Sequence, residues 1–246
     1  MNAEDIPLPR YNFQTGATLL VDKPKTWTSF DVVNKIRYRI KHRLGIKKIK
    51  VGHAGTLDPM ATGLLIICTG ALTRKLSEFQ GLPKIYTGTF KMGATTPSFD
   101  TETPVDETFP IDHLTTDLLE DARKKFLGHL EQLPPMFSAI KVDGQPLYKK
   151  ARKGQVVEVK ARPVEIFNFD LTRIELPEID FLVKCSKGTY IRSLAHDFGK
   201  AVNCGAHLTA LRRTAIGPFL VQNAWNLDDL VDYIENSPNI AEPVKV

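Results

Sequence analysis

Val51-Gly52-His53-Ala54-Gly55-Thr56-Leu57-Asp58-Pro59-Met60-Ala61-Thr62-Gly63-Leu64-Leu65-Ile66-Ile67-Cys68-Thr69-Gly70 is the stretch around which the chain is organised. Small, turn-forming residues lead to a single carboxylate at Asp58, and Pro59 turns the chain directly after it. The apolar run Leu64-Leu65-Ile66-Ile67 has the length and composition of a buried strand. Apart from Glu78, Asp58 is the only acid between Asp31 and Asp100, and it follows the most basic part of the chain. An Asp on such a turn can simply accept backbone N–H groups. It can also be an anion held ready for chemistry, and the local sequence alone allows both.

Working backwards from this turn, Thr18–Asp22 reads as a short buried strand that ends at Lys23-Pro24. Thr28 or Ser29 then caps a helix with Val32, Val33, Ile36 and Ile40 on its apolar face and Gly45 just past its end. The same helix carries Lys35, Arg37, Arg39, Lys41 and Arg43, and Lys47, Lys48 and Lys50 follow in the loop. Chain connectivity therefore makes the positive field and the Asp58 turn neighbours.

Forwards, Leu72–Phe79 reads as a short helix, Ile85–Lys91 as a strand, Thr95–Glu107 as a polar loop and Asp117–Phe126 as an amphipathic helix. The adjacent Pro134 and Pro135 break regular structure, and a short basic helix over Tyr148–Lys153 is expected beyond them. Strands are expected at Val156–Val159, Val164–Glu175 and Phe181–Ser186, then a helix over Tyr190–Lys200 and an apolar stretch at His207–Ile216. Asn226 caps a last helix, Leu227–Glu235, and the tail after it is expected to be disordered. The inventory has antiparallel strands and no βαβ rhythm, which is the α+β class.

The charge distribution says more than the net charge of +5. Val32–Leu57 holds eight Lys or Arg and no acid, whereas Ser98–Ala122 holds eight acids and no Lys or Arg. Such segregation produces a positive face suited to a polyanion. Three cysteines without a CxxC spacing argue against a disulfide framework and a zinc site. No run approaches the roughly 18 apolar residues of a membrane span, and the first residues lack the pattern of a signal peptide. A cytoplasmic protein is the resulting expectation. There is no P-loop, dinucleotide-binding, zinc-protease or zinc-deaminase signature and no Gly-x-Ser-x-Gly elbow.

What remains is a carboxylate and its possible partners. In Gly188-Thr189-Tyr190-Ile191-Arg192, Tyr190 and Arg192 stand two apart, so a strand or turn there would aim both to one side. An Arg beside a carboxylate keeps it ionised and oriented, which a nucleophilic carboxylate needs. A structural salt bridge would satisfy the same pattern.

At this point a resemblance enters. Gly52–Leu65 resembles the signature loop of the TruB family of pseudouridine synthases. So do Leu20–Pro24 with Thr28-Ser29, Lys84-Ile85-Tyr86, and Leu133–Lys141 with Gly144, Tyr148 and Ala151-Arg152. Gly188–Leu194 and Leu211-Arg212-Arg213 complete the set in order, and Gly93–Thr101 is similar to a further Thr- and Asp-containing loop.

The resemblance implies a pseudouridine synthase fold: a mixed, mainly antiparallel sheet flanked by helices. It implies an N-terminal extension over 1–15, a catalytic domain over 16–235 with a basic insertion at about 130–160, and a tail over 236–246 in place of a full C-terminal PUA domain. Asp58 would be the catalytic nucleophile or base that converts uridine to pseudouridine in the T loop of tRNA. Tyr86 would stack on the flipped uracil, Arg192 would pair with Asp58, and Tyr190 would contact the site and the base. His53 would pack against the target nucleotides, Leu211 would lie under the base and Lys23 would support the loop. No cofactor, metal, membrane or obligate protein partner is implied, and a monomer is expected.

Overall fold

The computed structural model describes residues 10–138, 140–142, 144–151, 153–155, 157–238 and 240. In chain order, β1 (Thr18–Lys23), α1 (Ser29–Leu44), β2 (Val51–His53) and β3 (Thr62–Thr69) come first. A 3-10 turn over Gly70–Lys75 leads to α2 (Leu76–Gly81), β4 (Lys84–Met92), β5 (Ala94–Thr95) and β6 (Glu107–Thr108). Then come α3 (Thr116–Lys124), β7 (Gly128–Gln132), β8 (Lys141–Val142), β9 (Gln145–Pro146) and α4 (Leu147–Ala151). The chain continues through β10 (Arg162–Glu175), β11 (Glu178–Cys185), α5 (Ile191–Ala201) and β12 (Ala206–Ile216). It closes with β13 (Phe219–Leu220), β14 (Trp225–Asn226) and α6 (Leu227–Asn236). These elements form two compact units, one of residues 1–82 with 213–246 and one of residues 83–212.

In the first unit, β1 runs antiparallel to β3 with Lys23 opposite Gly63, β2 pairs antiparallel with the other end of β3, and β14 runs parallel to β1. α1 starts as its sequence dictates. The Thr28 hydroxyl accepts from the Asp31 N–H at 3.0 Å and the Asp31 carboxylate accepts from the Thr28 N–H at 2.9 Å, a reciprocal capping box. Gly45 ends it in the left-handed region, φ 62°, where a glycine pays no side-chain penalty. The inward residues Val32, Val33, Ile36 and Ile40 join Leu19 and Val21 of β1, Leu65 and Ile67 of β3, and Leu227, Leu230 and Ile234 of α6 in one core. Burying each such side chain stabilises by about 1.5–3 kcal/mol. Val51 of β2 joins the same core, so it holds β2 and β3, the two arms of the Asp58 turn.

In the second unit, β4, β11, β10 and β7 form an antiparallel meander in that spatial order. Phe90, Phe169, Phe181 and Phe198 pack at its centre, with Phe90 and Phe181 stacked at 4.2 Å between ring centroids. A Cβ on Gly88 would sit 2.3 Å from the Ala210 carbonyl oxygen, so β4 and β12 approach closely only because that position is glycine. The architecture is α+β, a mainly antiparallel sheet flanked by helices.

Several expectations change. The helix expected over Leu72–Phe79 is split into the 3-10 turn and α2. Residues 157–161 form no strand, because β-branched composition gives none without an edge to pair with. The polar loop after β4 is closed by the β5–β6 pair and folds around buried Ser98 and Asp100 rather than lying open. Ile240, placed in the disordered tail by sequence, is buried and bridges Tyr11. The first nine residues of the N-terminal extension, Ala139, Asp143, Arg152 and Val156 of the insertion, and tail residues 239 and 241–246 lie outside the described residues.

Candidate active site

The Asp58 turn is built from the ends of β2 and β3. Ala54 donates its N–H to the Ile66 carbonyl at 2.8 Å, and the Ala61 N–H closes the turn on the Asp58 carbonyl at 3.0 Å. Gly55 and Gly63 hold φ values of 97° and 105°, which L side chains rarely adopt. A Cβ on Gly63 would also meet the Arg213 carbonyl oxygen at 2.3 Å. Leu57 is buried and locked from both sides by Ser29, whose hydroxyl accepts from its N–H at 2.9 Å and donates to its carbonyl at 3.3 Å. Asp58 itself is half-buried.

Two buried cations hold the frame of this turn. Lys23 has no exposed surface, and its Nζ donates to the carbonyls of Trp27 at 2.6 Å, Pro24 at 2.9 Å and Pro59 at 3.5 Å. Arg213 is 1% exposed and donates from Nε to the Leu64 carbonyl at 2.8 Å and from an Nη to the Gly55 carbonyl at 3.1 Å. It therefore staples the residues on both flanks of Asp58. Burial pulls the Lys23 pKa down to about 8, against the opposing pull of the Asp58 charge, and the Arg213 charge lowers it further. Burial, with the Arg213 charge, also lowers the His53 pKa, which leaves the imidazole neutral at pH 7.

The second unit holds another polar cluster. Tyr190 is the N-cap residue of α5 with an extended backbone, and Arg192 lies in the first helical turn. The chain there is the start of a helix rather than a strand or turn, so the two-residue spacing does not by itself give the pair a common side. Gln132 of β7 fixes the Tyr190 backbone, accepting from its N–H at 2.8 Å and donating to its carbonyl at 3.0 Å. Arg192 is 3% exposed. Its guanidinium donates to the Phe137 carbonyl at 2.9 Å and the Ser98 carbonyl at 3.3 Å, and forms an ion pair with the Asp100 carboxylate at 3.4 Å.

Asp100 is itself held by the Ser98 hydroxyl at 2.6 Å and the Glu102 N–H at 2.8 Å. Between them Phe99 takes a left-handed φ of 62° and stacks on His196 at 4.0 Å, one helical turn beyond Arg192. Tyr86 on β4 and Leu211 on β12 are both almost fully buried. Among the described residues no group of three or more His, Cys, Asp or Glu side chains is placed to hold a metal.

Comparison with known proteins completes this picture. The sequence profile described as "TruB family pseudouridylate synthase (N terminal domain)" matches residues 41–191, and that of the "tRNA pseudouridylate synthase B C-terminal domain" matches residues 192–242. The chain belongs to the TruB family of pseudouridylate synthases. The tRNA pseudouridine synthase B of Flavobacterium johnsoniae is 59% identical over 213 residues, which cover 86% of this chain and 93% of that protein. The protein of the same name from Phocaeicola vulgatus is 53% identical over 224 residues, covering 91% and 95%.

Among solved structures, a chain of a Cbf5-Nop10-Gar1 complex superposes with a TM-score of 0.67 at 30% identity, covering 90% of this chain. A chain of an H/ACA RNP bound to a substrate RNA containing 2'-deoxyuridine gives 0.64 at 26% identity, covering 94%. This chain spans only 55% and 61% of those two chains.

Seen as a TruB-family chain, the residues singled out by sequence fall into two sets. Lys23, His53 and Asp58 lie together on the first unit, while Tyr86, Tyr190, Arg192 and Leu211 lie on the second. The sequence gives Arg213, Gln132 and Asp100 no individual role, and gives Ser29 only a possible part in capping α1. Arg213 had a readable signal, because it alternates with Leu211 and Ala215 on the inward side of β12. The same alternation puts Lys23 in line with Leu19 and Val21. Asp100 gave only its place in the Gly93–Thr101 loop, since its charged partner, Arg192, comes from a distant segment.

Proposed function

We propose that this TruB-family protein isomerises the uridine at conventional position 55, in the T loop of tRNA, to pseudouridine, with Asp58 as the catalytic carboxylate. The observation that carries this reading is the Asp58 turn: a half-buried carboxylate on a backbone fixed by Lys23, Ser29 and Arg213. A turn clamped through the backbone carbonyls around it fixes where the half-buried Asp58 side chain stands. The names of the relatives from Flavobacterium johnsoniae and Phocaeicola vulgatus supply tRNA as the substrate.

In the reaction the C1′–N1 bond of uridine breaks, the uracil rotates, and a C1′–C5 bond forms. C5 gives up its proton and N1 gains one, so the atoms balance without a cofactor. The ionised Asp58 acts as nucleophile or as base. The target uridine has to leave the loop stack, which costs about a few kcal/mol. Stacking on Tyr86 offsets about 1–3 kcal/mol of that.

In this proposal Arg192 pairs with Asp58 and Tyr190 contacts the base, while Leu211 lies beneath it. His53, neutral at pH 7, packs against the extruded nucleotides, and Lys23 supports the loop. The cations of α1 and of the insertion take the phosphates. The protein works in the cytoplasm as a monomer, without an obligate protein partner. Incubating the purified chain alone with an unmodified tRNA transcript and mapping pseudouridine tests this. One pseudouridine at T-loop position 55 is expected; none, or product only at other positions, would refute the assignment.

A further inference from the structure

A second cationic feature lies on the first unit, away from the Asp58 turn. Gln14, Lys48, Lys50, Gly70, Thr73 and Arg74 line a cavity of about 280 Å³. Three segments meet there and their backbones are tied together. The Gly70 N–H donates to the Lys50 carbonyl at 2.9 Å and the Ala71 N–H to the Thr15 carbonyl at 3.1 Å. Gly70 sits at φ 53°, and a Cβ on it would stand 2.2 Å from the Gln14 carbonyl oxygen, so the corner closes only around glycine. The backbone that frames the cavity is thus fixed.

The chemistry of the lining is one-sided. Lys48, Lys50 and Arg74 contribute three positive charges, and among the described residues the lining contains no acid. Among the described residues none of these three forms an ion pair, although Arg39, Arg123, Lys124 and Arg173 all do. Like charges converging on one concavity repel one another unless an anion enters. The β2–β3 ladder fixes where that anion would stand. Val51 is opposite Thr69 and His53 opposite Ile67, so Lys50 and Gly70 lie at one end of the ladder and His53 at the other. Three residues of extended chain put Lys50 about 10 Å from His53.

We infer that this cavity binds a backbone phosphate of the RNA substrate, one flanking the target nucleotide rather than its own, an inference that rests on the proposed action on tRNA. The site grips through charge and so carries no base preference. The test is the double variant Lys48→Glu with Arg74→Glu, both at exposed positions. Binding of full-length tRNA and of an isolated T stem-loop is measured across a salt series, with inorganic phosphate as a separate probe.

The variant is expected to bind both RNAs about tenfold more weakly near physiological salt, with the slope of log affinity against log salt shallower by about two. Its single-turnover rate at saturating RNA should match the parent's. Loss of affinity for full-length tRNA alone would overturn the inference, because it would place the phosphate outside the T stem-loop and so away from the target nucleotide. Unchanged affinity and slope for both RNAs would overturn the inference, as would displacement of inorganic phosphate with no effect on RNA. If the parent protein fails to modify the T stem-loop at all, the assignment of function has failed instead, which is a different result.

Discussion

The Asp58 turn and the Arg192 cluster hold a charged side chain in opposite ways. At the turn, the surrounding cations Lys23 and Arg213 are buried and spend their hydrogen bonds on backbone carbonyls, which leaves the carboxylate half-exposed. In the cluster, Arg192 is itself buried and is surrounded by an acid and two carbonyls. One arrangement fixes the backbone and presents a side chain. The other fixes the side chain. A buried charge is costly unless it is fully paired, so the two regions should fail differently when disturbed.

The largest effect on stability is expected at Arg213. Arg213→Met strips the Leu64 and Gly55 carbonyls of their partner in a buried place. A loss of about 3–5 kcal/mol in unfolding free energy is expected, measured by denaturant titration. Arg213→Lys should recover only part of it, because one ammonium cannot reproduce the two-armed contact. A variant of parental stability would mean that the staple does not hold the turn.

Asp100→Asn should separate the two regions most cleanly. The Asn carbonyl can still accept from Ser98 and Glu102, so the loop survives, but its amide now faces Arg192 donor to donor. The single-turnover rate should fall about 100-fold with tRNA affinity nearly unchanged. A pure affinity defect would remove Arg192 from the reaction.

The smallest effect is a pH dependence. The Lys23 pKa is lowered to about 8, so between pH 8 and about 10.5 the unfolded chain binds the proton that the folded one has released. Stability relative to Lys23→Met should therefore rise across that window and be flat below it. An unchanged difference from pH 7 to 10.5 would show that Lys23 is solvated.

How legible these regions were follows from how they are assembled. The Asp58 turn is one continuous stretch, and its glycines, its proline and the apolar strand after it can be read in a line. The α1 capping box, Gly45 and the alternation of β1 were equally local. The Arg192 cluster draws on residues 98–102, 132, 137 and 192, so no spacing announces it, and Asp100 looked like one more acid in a negative loop. The strand expected at Val156–Val159 is absent over residues 157–159 for the complementary reason, since composition cannot say whether an unpaired edge is waiting. Lys23 and Arg213 stand between these cases. Each occupies an inward position in an alternating strand, where a cation invites the question of what pays for its burial.

The most direct measurement is single-turnover pseudouridine formation on a T stem-loop by Asp58→Asn, with binding measured on the same preparation. The exchange is isosteric and leaves the carbonyl clamps of the turn intact. RNA affinity within about threefold of the parent is expected, with product formation lower by at least about 1,000-fold. Product at a rate within tenfold of the parent, on RNA bound equally well, would show that Asp58 is not the group that reacts.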